Sequence, residues 1–158
     1  MMRPMRILAV VSCAVALGAA SPVKGAARCP RASLTLVQAP DLQTRAFATL
    51  SKEDWEVWRA VATDDFTAHE NGQAYDRDGF FKLIADAHRA GTGLRWSVTR
   101  PSVDSRCGLA LIWYVNEGTV TRNGVTRPTQ WLETGSYRWE GGRWRLFLVT
   151  SMIVKPAS

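Results

Sequence analysis

Two periods of apolar residues divide this chain. Up to about residue 90 the apolar positions recur mainly at helical spacing, and beyond Gly93 they alternate. Leu42, Ala46, Phe47 and Leu50 fall on one face of a helix that Pro40-Asp41 starts. Ser51-Lys52-Glu53-Asp54 has the form of a capping box, in which the serine oxygen accepts from the amide of residue 54 and Asp54 answers back. A second helix is expected from there to about Ala62, with Trp55, Trp58 and Val61 on one face and Asp64-Asp65 ending it. Phe66 to Glu70 and Gln73 to Tyr75 flank Asn71-Gly72, a dipeptide suited to the positive φ angles of a tight hairpin. Asp76 or Asp78 then caps a third helix through about Arg89, striped by Phe80, Phe81, Leu83, Ile84 and Ala87, with Gly91 past its end.

Four strands are predicted after that: Leu94 to Val103, Gly108 to Thr121, Thr126 to Glu140 and Arg143 to Val154. Asn123-Gly124 and Gly141-Gly142 make the last three an antiparallel meander. Helices first and long antiparallel strands afterwards predict an α+β fold, with one face of a curved sheet packed on the helices and a pocket where the sheet wraps incompletely.

The first 27 residues change the picture of charge and compartment. Arg3 and Arg6 precede an apolar run, Ile7 to Ala20, which Ser21-Pro22 interrupts; these are the parts of a signal peptide, cleaved after Ala20 or after Ala27. The run is about 14 residues, short of the roughly 20 that a membrane-spanning helix needs, so no membrane association is expected after its removal. The whole chain carries a formal charge of +6; without residues 1–27 it keeps 17 basic and 14 acidic residues, a charge of +3. The remaining arginines are scattered, without the basic stripe that would track nucleic acid, so none is expected as a partner. The organisation is therefore a leader at 1–27, an extension at 28–39 and a single domain at 40–158, periplasmic or secreted. In an oxidising compartment the two remaining cysteines, Cys29 and Cys107, either form one disulfide or stay as free thiols.

Four short stretches carry a family resemblance: Ser51-Lys52-Glu53-Asp54 leading to Thr63-Asp64-Asp65-Phe66, the hairpin His69-Glu70-Asn71-Gly72, the helix start Tyr75-Asp76-Arg77, and Gly141-Gly142-Arg143-Trp144-Arg145-Leu146. In these the chain resembles the nuclear transport factor 2-like superfamily, and within it the SnoaL-like group, over about residues 40–154. The resemblance implies a cone-shaped α+β fold with a pocket between helices and sheet, often a dimer through the sheet. It does not imply one function, since this fold hosts isomerases, cyclases, dehydratases, ligand carriers and interaction modules.

Relatives of this type often place an acid or histidine where His69 and Glu70 stand, and a histidine near a carboxylate serves as a base around neutral pH. Adjacent on a strand, the two point to opposite faces, so at most one enters the pocket. Asp65 is either a second acid at the pocket mouth or part of a turn. In the strand Gly108 to Thr121, alternation separates Leu109, Leu111, Trp113, Val115 and Glu117 from Ala110, Ile112, Tyr114 and Asn116; one set faces helices or pocket, the other a dimer partner. Trp131 and Glu133 share a face of the next strand, where Glu133 either lies enclosed with a raised pKa or pairs with an arginine of a neighbouring strand. Thr150 stands where many relatives carry histidine, so a paired-histidine mechanism is not assembled.

His69 and His88 have no metal-ligand spacing, and no metal or cofactor is expected. His88, near a helix end, is accounted for by the dipole. The chain therefore reads as a binder of a small, largely apolar ligand held by Trp113, Tyr114, Trp131 and Met152 with His69, Glu133 and Asn116 as polar anchors, and with His69 or Glu133 as general base if it is catalytic. The alternative is a non-catalytic module that forms a homodimer or docks a protein of the cell envelope.

Overall fold

The computed structural model describes residues 29–154. The leader expected over residues 1–27, with its cleavage site, lies outside the described residues. In chain order the elements are α1 (Ala39–Ser51), α2 (Trp55–Val61), β1 (Ala62–Glu70), β2 (Gln73–Asp76), α3 (Arg77–Arg89), β3 (Gly93–Arg106), β4 (Leu109–Arg122), β5 (Val125–Glu140) and β6 (Arg143–Ile153). The helices pack on one face of a sheet ordered β2-β1-β6-β5-β4-β3, which makes the fold α+β as expected.

The strands were expected to be wholly antiparallel, and that expectation is corrected at one pair: β1 runs parallel to β6. Turn residues report only strands joined by a hairpin. A parallel pair needs a long connection, and here α3 and the β3–β5 meander supply it, so no local signal marks the pairing. Each hairpin turns on two residues that both have positive φ: Asn71-Gly72, Cys107-Gly108, Asn123-Gly124 and Gly141-Gly142. That is the backbone of the twisted two-residue turn that favours asparagine and glycine. The register shifts between Thr99 and Ser102 in β3 and at Phe147 in β6, opposite Ser136 and Tyr137, and irregularities of this kind bend a strand and increase its local twist.

Two local expectations also change. The capping pair moves by one turn, because Ser51 completes α1, Glu53 takes φ of 53°, and Asp54 itself caps α2 by accepting from the Val57 amide at 3.1 Å. Asp64 and Asp65 do not end a helix; they lie in β1 and pair with Arg77 at 2.5 Å and Arg138 at 2.6 Å. Asp76 caps α3, accepting from Gly79 at 2.7 Å.

The core joins Trp58, Phe66 and Phe80 under the helices to Ile112, Tyr137 and Leu146 on the inner sheet face. Trp58 contributes its whole ring and donates its indole N–H to the Arg77 carbonyl at 3.2 Å, the satisfied polar tip that a buried tryptophan requires. α1 approaches β5 closely at Gly135, where any Cβ would run into Gln43 Oε1, the acceptor for the Tyr137 hydroxyl at 2.6 Å. Cys29 and Cys107 form a disulfide with Cα atoms 4.6 Å apart, tying the segment before α1 to the β3–β4 turn. The Leu34 amide, donating to Ser105 Oγ at 2.8 Å, holds the same segment against β3.

Candidate functional site

Strand register places four polar side chains in one row across the inner face. Tyr114 of β4 stands opposite Glu133 of β5, Glu133 opposite Ser151 of β6, and Ser151 opposite Glu70 of β1. Residues directly opposite in neighbouring strands project to the same side of a sheet, so these four groups converge without help from any loop.

Glu133 is the centre of the row and is only 6% exposed. Ser151 Oγ donates to its Oε1 at 2.9 Å, and Asn116 Nδ2 donates to its Oε2 at 3.1 Å. The amide of Asn116 is oriented by β3, because its Oδ1 accepts the Ser97 backbone N–H at 3.0 Å, which leaves its donors facing Glu133. The Tyr114 hydroxyl lies beside the same carboxyl, buried and without an aligned hydrogen-bond partner. Burial raises the pKa of Glu133 to about 7 against the hydrogen bonds that favour its anion, and the charge of Glu70 adds to the rise. Burial also raises Glu70, opposed by Ser151. Tyr114 is held well above the ordinary tyrosine range, by burial first and by the charge of Glu133 second, so it stays protonated.

The arginine partner considered for Glu133 is absent: among the described residues no lysine, arginine or histidine forms an ion pair with Glu133 or Glu70. What faces Glu133 instead is a cavity of about 220 Å³. Its walls are Phe47 of α1, Phe80 and Ile84 of α3, Trp96 of β3, and Trp131 and Val149 of the sheet, with Arg122 and Ile153 exposed at the rim. A largely apolar cleft with a few convergent polar groups is the usual form of a small-ligand site. An acid that is half ionised near neutrality, facing such a space, can accept or donate a proton.

The expected site residues divide between the two faces. Trp131 and Glu133 line the cavity, and Tyr114 and Asn116 lie behind Glu133 on the inner face. His69, Trp113 and Met152 do not join them. His69 is opposite Thr150, which is opposite Thr134, which is opposite Trp113, a second row one residue out of step with the first and therefore on the outer face. Met152 is opposite Leu132 there and is 60% exposed; Trp113 is 42% exposed. Of the His69-Glu70 pair it is Glu70 that enters the pocket, and Ser151 rather than Thr150. Asp65 is held by Arg138, which lowers its pKa to about 2 and leaves it a surface ion-pair member. His88 Nδ1 lies 2.8 Å from Glu53 Oε1, a partner beyond the helix dipole.

Sequence reasoning missed Ser151 and the rim residue Arg122, and saw Phe47 and Phe80 only as core. A strand pattern read two residues at a time shows that Ser151 shares a side with Val149, but not which side is enclosed. Among the described residues no cluster of three or more histidines, cysteines or acids is placed to hold a metal ion, and no helix is long and apolar enough to cross a membrane.

No protein-family model matches the chain, and no curated protein matches it significantly in sequence. Solved structures do match it. An NTF2-like protein from Cytophaga hutchinsonii superimposes with a TM-score of 0.64 at 10% identity, covering 77% of this chain and all of that one. The fold is NTF2-like. A ketosteroid isomerase-like protein from Erwinia carotovora atroseptica aligns with a TM-score of 0.62 at 18% identity over 78% of this chain and 100% of its own. A CaMKII hub from S. rosetta aligns with a TM-score of 0.62 at 13% identity over 75% and 95% of the two chains. At these identities the likeness is one of architecture, and the chain must be read through its own cavity.

Proposed function

We propose that this chain is an exported SnoaL-like domain that binds a small, largely apolar ligand in the cavity between helices and sheet, with Glu133 as its proton-transfer group. The observation that carries this reading is a buried carboxyl, held near neutral pKa and free of any cationic partner among the described residues, facing a largely apolar pocket. The ketosteroid isomerase-like neighbour is consistent with cofactor-independent proton transfer, in which Glu133 accepts a proton from carbon or returns it and Ser151 and Asn116 hold its orientation. His69, first considered as a base, has no part in this reading. A periplasmic or secreted location, a leader at residues 1–27 and a ligand domain at 40–158 belong to the same proposal, supported by the disulfide and by the leader-like composition of the first residues.

Native mass spectrometry of the protein purified from its own export compartment tests it. The expected result is a noncovalent adduct of small-molecule mass that is lost on denaturation and retained less by Glu133→Gln. A protein that carries no adduct, and whose cavity takes up no compound from a ligand screen, would remove the ligand-binding reading.

A second reading, homodimerisation, is favoured by the outer sheet face, where Leu109, Leu111, Trp113, Leu132 and Met152 are all exposed. Trp113→Lys at the middle of that face is expected to weaken self-association by at least about ten-fold in sedimentation equilibrium, as loss of a central aromatic anchor does. A wild-type chain that sediments as a monomer at high concentration would dispose of this reading and leave the cavity untouched.

A further inference from the structure

The site holds two carboxyls and, among the described residues, no cationic group paired with either. Glu70 and Glu133 both approach Ser151, from β1 and β5, on the floor of a cavity whose remaining lining is mostly aromatic and aliphatic, with Asn71, which donates to Glu70 at 2.6 Å, Thr92 and Arg122 as its polar members. Burial of a carboxylate without a counter-charge is costly, and proteins ordinarily relieve it with an arginine or lysine. Neither stands here among the described residues: the only cationic side chain lining the cavity, Arg122, is exposed at the rim. The aromatic side chains of Phe47, Phe80, Trp96 and Trp131 line the same space. Aromatic walls with a carboxylate at the base are the surroundings that a desolvated ammonium group prefers, through attraction to the ring quadrupole and to the anion together.

The geometry points to a small hydrophobic amine as the ligand of this cavity, its ammonium group set between Glu133 and Glu70 and its hydrocarbon body against Phe47, Phe80, Trp96 and Trp131. This inference rests on the ligand-binding reading above and adds the charge and size class of the ligand. Engineered apolar cavities of about 150 Å³ take up benzene, so about 220 Å³ admits one ring or a compact pair of rings. The Asn116 donors and Ser151 hydroxyl already occupy one lone pair on each oxygen of Glu133, which leaves the remaining lone pairs for the ligand's N–H groups.

Binding is coupled to protons with a definite sign. An ammonium group favours the ionised form of Glu133, so a proton leaves the site when the amine enters, and affinity rises with pH until the free amine itself loses its charge. The groups that face Glu133 are Tyr114 and Asn116 from β4, Ser151 from β6 and Glu70 from β1, with Arg122 at the rim; α1 and α3 present only apolar side chains to the cavity. Tyr114 stays neutral, so the two glutamates are the groups that release the proton.

Three compounds with one bicyclic skeleton separate the possibilities: 2-aminoindane, 2-indanol and indane-2-carboxylate, titrated calorimetrically into the disulfide-bonded protein at pH 5 and pH 8. The amine is expected to bind at least about ten-fold tighter than the alcohol at pH 8, with that preference shrinking at pH 5 and with proton release visible in buffers of different ionisation heat. Glu133→Gln is expected to bring the amine to within about two-fold of the alcohol, both measured on the variant, and Glu70→Gln to remove part of the preference. Equal affinity for amine and alcohol would overturn the ammonium inference and leave the ligand-binding reading standing. Tightest binding of the carboxylate would overturn it in favour of recognition by Arg122. Failure of all three to bind would overturn both readings.

Discussion

Glu133→Gln raises stability at pH 8 relative to the parent protein and leaves it nearly unchanged at pH 4.5. The sign follows from the direction of the pKa shift. Folding raises the pKa of Glu133 from 4.5 to about 7, so between those values the native state holds more protons than the unfolded state. Stability from this group is complete below pH 4.5 and is lost as pH rises through 7. A displacement of that size corresponds to about 3 kcal/mol between the two ends of the window, since each unit is about 1.4 kcal/mol. Glutamine keeps the acceptor for Ser151 and cannot ionise, so the difference between variant and parent in urea midpoint should open progressively from pH 4.5 to 8. Parallel curves would mean that Glu133 is ionised throughout, with a compensating cation nearby. The comparison must be made as a difference, because surface pairs such as Asp65 with Arg138 titrate in the opposite direction at low pH, where the lowered pKa of Asp65 removes stability as it protonates.

Removal of the Cys29–Cys107 bond is the second large effect. The bond closes a loop with a sequence separation of 78, and the chain-entropy relation gives about 4 kcal/mol for a loop of that size. The double variant Cys29→Ser, Cys107→Ser should therefore unfold at a temperature lower by about 10 °C or more, with reduction of the parent having the same effect. The segment from Cys29 to Leu34 should lose protection first in hydrogen exchange, since beyond the disulfide it is held by the Leu34 amide on Ser105 and by the buried Leu34 side chain, with no helix or strand of its own. The inner row of Tyr114, Glu133, Ser151 and Glu70 lies on the sheet rather than on this segment, so the pH response of Glu133 should survive the loss. A variant that kept the parent's melting temperature would show that the bond constrains a part of the chain already ordered in the unfolded state.

Much of the frame was legible in the sequence, because it is written in local chemistry. Asn71-Gly72, Asn123-Gly124 and Gly141-Gly142 require positive φ wherever they stand, so they announced three hairpins independently of the fold. The helical spacing of Leu42, Ala46, Phe47 and Leu50 and the cap at Asp76 belong to single elements in the same way. Glu133 was legible as an unusual acid because it sits between tryptophan and tyrosine on a strand that is otherwise half apolar.

What the sequence could not carry was the side of each strand that is enclosed. Alternation groups Trp113 with Leu111, and Tyr114 with Asn116, but the two groups are almost equally apolar, and only the packing of α1 and α3 decides that Tyr114 faces inward and Trp113 outward. A single residue of register exchanges the row of Tyr114, Glu133, Ser151 and Glu70 for the row of Trp113, Thr134, Thr150 and His69, which is why His69 was preferred over Glu70, Met152 read as a pocket residue and Ser151 did not. The parallel pairing of β1 with β6 brings Glu70 to Ser151, and it joins residues some eighty positions apart with no turn between them to record it. Element type depends on contacts within a few residues, whereas the convergence of two carboxyls on one cavity depends on contacts across the whole chain, and only the tertiary structure sums those.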